Sequence, residues 1–366
     1  MSVPRGSESP TRCCSRPTTP CTRRSAPARG GTSFPAGRSD PSGTDQPRER
    51  SSLSSPSILP PARIGFVGLG QMGLPMSRRL SRAGYRVIAH DLNRAALERA
   101  CDGTGAEPSA SLAPLGRACE AAITMLPDGK AVRSVALGSG ETGDCLASGM
   151  APGSVLIDMS SSSPVATREL GVRLAERGIA LIDAPVSGGV RRAVDGSLAV
   201  MAGGEPAEVE RCRPVLQAMG KQVFLAGPLG CGHAMKAINN YVSAAGLIAA
   251  TEGVLMAQRF GLDPGRVVDI LNASSGMNNS TLNKFHQFVL NRAFNSGFSL
   301  DLMVKDLKTA LEVARETGSP ERFAAECLRA WTEAQAALGP GADHTAVVRY
   351  WERLAGCELG AADTAS

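Results

Sequence analysis

Apolar residues in this chain fall into short runs separated by helix-spaced stripes, and this pattern begins only after residue 62. Residues 64–67 form a short run of strand character, and Met72, Met76 and Leu80 then recur every fourth residue as a helix stripe that Gly84 stops. Further strand-like runs follow at residues 87–89, 121–127, 154–160, 180–187, 197–204 and 222–227, with helical patterns such as PVATRELGVRLAERG in most of the intervals. Strands alternating with helices predict a parallel sheet covered by helices on both faces. After Gly232 the pattern is helical almost throughout. From His233 to Phe260 the only charged residues are Lys236, Glu252 and Arg259, so this segment is expected to be enclosed by other helices or by a second subunit.

Between the first strand and the first helix stands Gly68-x-Gly70-x-x-Gly73, spelled out as Gly68, Leu69, Gly70, Gln71, Met72 and Gly73. At a strand-to-helix junction such a loop lets a pyrophosphate approach backbone N–H groups and the helix N-terminus. The second apolar run is followed by Asp91, 18 positions after the last of these glycines and near the usual offset for a ribose-binding carboxylate. A carboxylate there accepts hydrogen bonds from the adenosine ribose and repels a 2′-phosphate, which favours NAD over NADP, although Arg94 nearby leaves NADP possible. A plain tight turn with a surface aspartate would carry the same residues. In sheets of this type ligands sit beyond the carboxyl ends of the strands. Leu126, Pro127, Ser160, Ser161 and Ser187 to Gly189 fall at such ends, though each alone is also an ordinary turn residue.

Lys236 is a lone cation among small apolar residues, with Asn240 four positions on and therefore on the same helix face. A lysine in a water-poor site has a lowered pKa, as does one beside a cationic nicotinamide. Such a group can take a proton from an alcohol and return it in the reverse direction. A lysine near a helix start can equally snorkel to solvent, and the pattern alone leaves both readings open.

Composition narrows the rest. The formal charge of +5 resides entirely in residues 1–62, which carry nine arginines against four acids, leaving 30 bases and 30 acids in the remainder. A neutral body gives no electrostatic reason to expect nucleic acid or a membrane as partner. The leader is rich in Ser, Pro, Arg, Thr and Gly, has one aromatic residue, and is expected to be disordered. Its Arg and Ser content suits an organelle transit peptide, against which the many prolines count. An over-extended start or an RNA-binding tail would look similar. Ten scattered cysteines show no metal-ligand spacing, so no metal is expected, and they suit reduced thiols in the cytoplasm. No apolar run reaches the length of a membrane span.

The segments GFVGLGQMGLPM, TMLPDGKAV, IDMSSSSP, DAPVSGGVRRAVDGSLAVMAGG, GHAMKAINN and MVKDLKTALEVA, in that order from residue 64 to about 354, together resemble the β-hydroxyacid dehydrogenase family, which includes 3-hydroxyisobutyrate dehydrogenase. The resemblance implies an α/β Rossmann-type N-terminal domain with a parallel-rich sheet over residues 63–228. It also implies an all-α C-terminal substrate and oligomerisation domain over 229–354, a tail at 355–366, and an active site in the cleft between the domains. It implies that Lys236 is the catalytic acid/base and that Asn240 holds the substrate. In the same way Ser187, Gly188 and Gly189 receive its carboxylate, Leu126, Pro127 and Ser161 line the nicotinamide side, and Lys305 closes the site. The activity implied is oxidation of a small 3-hydroxy acid by NAD, or NADP, in a homodimer or homotetramer. An NADPH-dependent reductase of small aldehyde acids and a non-catalytic nucleotide-binding scaffold are the alternatives. Ser161–Ser162 in place of Thr-Ile, Ala131 in place of an asparagine, Arg191–Arg192 in place of a small pair, and the polar segment ASSGMNNSTLNK at 273–284 depart from the family. They point to a more polar substrate than hydroxyisobutyrate, such as the sugar acid threonate.

Overall fold

A computed structural model of the chain describes residues 56–138 and 143–360, all within one compact unit. Its strands are β1 (Arg63–Val67), β2 (Arg86–His90), β3 (Glu107–Pro108), β4 (Ala121–Thr124), β5 (Val155–Asp158), β6 (Ala180–Asp183), β7 (Val186–Ser187), β8 (Ala199–Gly203) and β9 (Gln222–Gly227). They form one sheet in the order β3-β2-β1-β4-β5-β6-β8-β7, with β9 pairing to β8. From β3 to β6 every pair is parallel, whereas β8 runs antiparallel to β6 and β7. The reversal follows from the local sequence. Pro185 has no amide to give to a ladder, and the run expected as one strand over 180–187 breaks there into β6 and β7. Only residues 188–198, most of them in a seven-residue helix, then separate β7 from β8, short for a parallel crossover.

Seven helices cover the sheet: α1 (Gly73–Arg82), α2 (Arg94–Cys101), α3 (Leu112–Ala118), α4 (Gly129–Leu137), α5 (Pro164–Ala175), α6 (Gly189–Asp195) and α7 (Pro206–Gln217). Successive strand residues point to opposite faces, so the sheet feeds two cores. Ile64, Phe66, Val155 and Ile157 pack with Met76 and Leu80 of α1 and Val209 and Leu216 of α7. Val67, Ala122 and Leu156 pack with Leu115 of α3, Val132 of α4 and Leu170 of α5.

The rest is helical: α8 (Cys231–Arg259), α9 (Pro264–Asn272), α10 (Asn279–Asn283), α11 (Leu300–Thr317), α12 (Arg322–Leu338) and α13 (Val347–Ala355). Their shared core contains Leu247 and Val254 of α8, Leu307 of α11, Trp331 of α12 and Val347 of α13. One side of α8 faces solvent with Met235, Ile238, Val242 and Met256, so this chain by itself does not enclose it as its composition suggests.

Both expected ends of the folded region shift outward. Residues 56–62 belong to the leader by composition, yet Ile58 is buried, its carbonyl accepts from the Tyr85 hydroxyl, and its amide donates to Arg211. An apolar residue at 58 supplies the burial that the flanking prolines and serines cannot. Residues 1–55 of the leader lie outside the described residues. In the tail, Leu359 is buried in the helical core and the Glu358 carbonyl accepts from Gln258, while residues 361–366 lie outside the described residues. Among the described residues no helix is long and apolar enough to cross a membrane.

Candidate active site

The glycine loop leaves β1 at Gly68, whose φ of +98° disfavours any other residue. A Cβ on Gly68 would collide with the Met125 carbonyl oxygen, and one on Gly73 with that of Gly68, so these two glycines let the loop fold against itself. Gly70 differs, because nothing lies within 4 Å of the place its Cβ would take. The open space above it fits a pyrophosphate approaching the backbone. Asp91, just beyond β2, accepts from the amides of Leu69 (2.6 Å) and Asn93 (2.7 Å). Its carboxylate therefore fixes the loop, and the residue lines the cleft.

A cleft of about 910 Å³ extends from this loop to the helical part. Gly68, Gly70, Gln71, Met72, Gly73 and Asp91 line its nucleotide end. Leu126, Pro127 and Ser161 line it from the ends of β4 and β5, Gly188 and Gly189 from the turn after β7, and Lys236 and Lys305 from α8 and α11. Three of the residues expected at the site are not on this wall. Leu69 is buried, with only its amide engaged as described. Ser187 stands half-buried at the end of β7 beside Gly188. Asn240 is buried one turn beyond Lys236, where its side-chain amide donates to Asp306 Oδ2 at 2.5 Å.

Asp306, which motif reading passes over in favour of its neighbour Lys305, is the hub of the inner wall. Besides Asn240 it accepts from the Ser161 hydroxyl at 2.9 Å, and Lys305 Nζ stands 3.2 Å from Oδ1. Lys305 Nζ also donates to the Ser161 carbonyl at 2.7 Å, tying α11 to the end of β5. The signal for Asp306 exists in the sequence. It occupies the buried stripe of α11 together with Met303, Leu307 and Ala310, where an unpaired carboxylate would be costly. Lys236 is half-buried. Burial holds its pKa below the usual lysine value; the Asp306 charge opposes this and the Lys305 charge adds to it.

The position of Lys236 is set from behind. A Cβ on Gly232 would collide with the Met201 carbonyl oxygen, so the start of α8 is pressed onto the sheet. Asp183, at the end of β6, accepts from the amides of Gly230 and His233 at 2.7 Å each. The His233 ring is buried between Asp183 and Asp158, its Nδ1 2.9 Å from the Thr167 hydroxyl. That hydroxyl donates to the Ser163 carbonyl, so Nδ1 is the protonated nitrogen of this pair. Lys236 follows His233 by less than one turn.

The polar segment at 273–284 does not line the cleft. Asn278 and Thr281 form a capping box for α10, Asn278 also donates to the Gly246 carbonyl, and Lys284 Nζ donates to Ser243 Oγ at 3.1 Å. Its polarity serves helix capping and helix-to-helix contact, so it does not bear on how polar the substrate is. The helical side of the cleft is walled by Ser296, Gly297 and Phe298, which the sequence does not single out. Asp343 holds this wall by accepting from the Ser296 hydroxyl and the Gly297 amide at 2.9 Å.

Comparison with known proteins agrees with this geometry. Residues 63–227 match the NAD binding domain of 6-phosphogluconate dehydrogenase, and residues 230–351 match a family described as NAD-binding of NADP-dependent 3-hydroxyisobutyrate dehydrogenase. The chain is 35% identical to 2-(hydroxymethyl)glutarate dehydrogenase of Eubacterium barkeri over 298 residues, which is 81% of this chain and 97% of that one. It is 32% identical to L-threonate dehydrogenase of Cupriavidus necator, over 79% of this chain and 95% of that one. The solved structure of Mycobacterium tuberculosis 3-hydroxyisobutyrate dehydrogenase with L-serine superposes with a TM-score of 0.71 at 30% identity, covering 79% of this chain and 99% of that one. With the glycine loop and the two-part cleft in the same order along the chain, this protein belongs to the β-hydroxyacid dehydrogenases, NAD(P)-dependent oxidoreductases of small hydroxy acids.

Proposed function

We propose that Lys236 is the acid/base group of this dehydrogenase and that the substrate is a small 3-hydroxy acid bound between Lys236 and the Gly188–Gly189 turn. The observation that carries the reading is that Lys236 shares one cleft with the glycine loop and has a pKa lowered by burial. A lysine that is neutral for part of the time can take the proton of a substrate hydroxyl. A nicotinamide dinucleotide, when bound, supplies the hydride acceptor. The glycine turn offers backbone N–H groups to the substrate carboxylate, since neither residue has a side chain to shield them. Ser187, which stands off the cleft wall, flanks this turn at the end of β7. Asn240 acts from behind, because its amide is given to Asp306 and its orientation is thereby fixed.

Asp91 favours NAD over NADP, because its carboxylate faces the same end of the cleft as the glycine loop and would repel a 2′-phosphate. The relatives act on 2-(hydroxymethyl)glutarate and L-threonate by their names, which suits hydroxyisobutyrate-like or more polar hydroxy acids here. The exposed apolar side of α8 favours a homodimer or homotetramer. Seven free cysteines among the described residues suit the cytoplasm. Steady-state kinetics on a panel of hydroxy acids with both dinucleotides test the reading. Lys236→Met is expected to lower kcat by roughly 100- to 10,000-fold, with NADH binding retained by fluorescence. Wild-type rates in that variant would remove Lys236 from the mechanism.

A further inference from the structure

The chain that leads into the helical wall of the cleft is strained. Arg292 (φ +61°) and Phe294 (φ +44°) stand in the left-handed region, which side chains rarely adopt, and such residues persist only where their surroundings over-determine them. Here the surroundings do so. The Arg292 guanidinium pairs with the Glu352 carboxylate and lies 4.8 Å from the centre of the Phe294 ring, while the Phe294 amide donates to the Phe288 carbonyl. The chain then turns at Gly297 (φ +86°), where nothing lies within 4 Å of the place a Cβ would take, and Ser296, Gly297 and Phe298 line the cleft. This wall stands toward the reacting side. Leu300, just after it, is about 9 Å along α11 from Asp306, the carboxylate whose charge acts on Lys236.

Two consecutive residues, each 46 positions beyond its partner in the turn, clamp it from behind. Asp343 accepts from the Ser296 hydroxyl and the Gly297 amide, and also from the Thr345 amide (2.9 Å) and hydroxyl (2.6 Å). His344 donates its amide to the Phe298 carbonyl at 2.8 Å. Its Nδ1 lies 3.1 Å from the same oxygen and carries the proton, because a carbonyl only accepts. Neither residue lines the cleft, and the Asp343 side chain is 11% exposed. Its carboxylate therefore acts on a ligand only through the turn it holds. We infer that Asp343 is a positioning residue, which fixes the Ser296–Phe298 turn and so sets the shape of the pocket that receives the hydroxy acid. This rests on the dehydrogenase reading above and adds a residue to the same site. Without Asp343 the Gly297 amide has no other acceptor among the described residues, and the strained approach relaxes. Binding then carries the cost of ordering the turn again, which raises KM more than it lowers kcat.

The full-length protein is assayed with 3-hydroxyisobutyrate and with L-threonate, each at varied NAD. Asp343→Ala is expected to raise the KM for the hydroxy acid about tenfold, with kcat and the KM for NAD little changed. Asp343→Asn keeps the shape and one accepting oxygen and is expected to recover part of the loss. Thr345→Val removes a bond to the same carboxylate without touching the turn, so it is expected to lower Tm and leave that KM in place. NADH fluorescence reports whether each variant is folded. Calorimetric binding of the two hydroxy acids to the NADH-loaded protein, a dead-end complex, gives a readout independent of turnover. Binding that depends on Asp343 in a protein that turns over neither acid would sink the dehydrogenase reading and keep the clamp. A kcat that falls with KM unchanged is the mark of a merely structural residue and would overturn the inference. A matching rise in the KM for NAD, or an equal rise for the hydroxy acid in Thr345→Val, would do the same. So would calorimetric binding that is absent from the parent protein or indifferent to Asp343→Ala.

Discussion

Asp306 accepts from Asn240 and Ser161 and faces the charges of Lys236 and Lys305, so a single substitution there tests both the geometry and the electrostatics of the site. Its negative charge is the influence that raises the Lys236 pKa against burial. With the charge gone, the ammonium is disfavoured further and its pKa falls. If Lys236 must be neutral to accept the substrate proton, the rising limb of kcat/KM against pH moves to lower pH in Asp306→Asn. The pH profile of the variant checks this, and a limb that stayed in place or moved upward would contradict it. Lys236 is readable in the sequence as a charge at odds with apolar surroundings, and Lys305 only through the family resemblance. The carboxylate that joins them is harder to find because its partners lie 66 and 145 positions away. No local pattern carries a contact at that separation.

The segment from α10 to the loop before α11 tests a different property, the burial of a titratable group used for packing. Lys284 caps α10 from the C-terminal side and reaches Ser243 on α8. Burial pushes its pKa down to about 8, with Asp343 pulling the other way. Its folded pKa is therefore below the unfolded value. Below pH 8 the buried ammonium opposes folding, and between about pH 8 and pH 10.5 the folded state sheds the proton that the unfolded state keeps, so stability rises through that window. Lys284→Met is expected to flatten this rise. It should also stabilise the protein at neutral pH by about 1–3 kcal/mol, less what the lost bond to Ser243 contributed. Thermal unfolding of both proteins from pH 7 to pH 10.5 measures it. The polar residues around Lys284 illustrate how an element can mislead. Asn278, Ser280 and Thr281 read as ligand-binding polarity, yet caps and turns draw on the same residue types.

Among the described residues, the outer side of α8, a helix of 29 residues and roughly 43 Å, is an apolar surface that a single chain leaves unpaired. Met235, Ile238, Val242 and Met256 are exposed along it, and Phe224 and Leu225 are exposed on β9, which packs against the same helix. An apolar surface of this extent is expected to be covered by a second copy. Val242→Glu should shift the protein from dimer or tetramer toward monomer in sedimentation velocity, and an unchanged oligomer would place the interface elsewhere. The alternation of strands and helices, the glycine loop and its partner Asp91, and the lone lysine in an apolar helix were determined by sequence alone. Each depends on periodicity or on spacings of some 20 residues or fewer, which the chain displays directly. Tertiary structure decided the rest. It drew residues 56–62 and 355–360 into the body, turned β8 against its neighbours, assigned Asp306 as the hub, and walled the cleft with Ser296 to Phe298. All of these rest on contacts between distant parts of the chain, whose register is fixed only when helices and sheet close on one another.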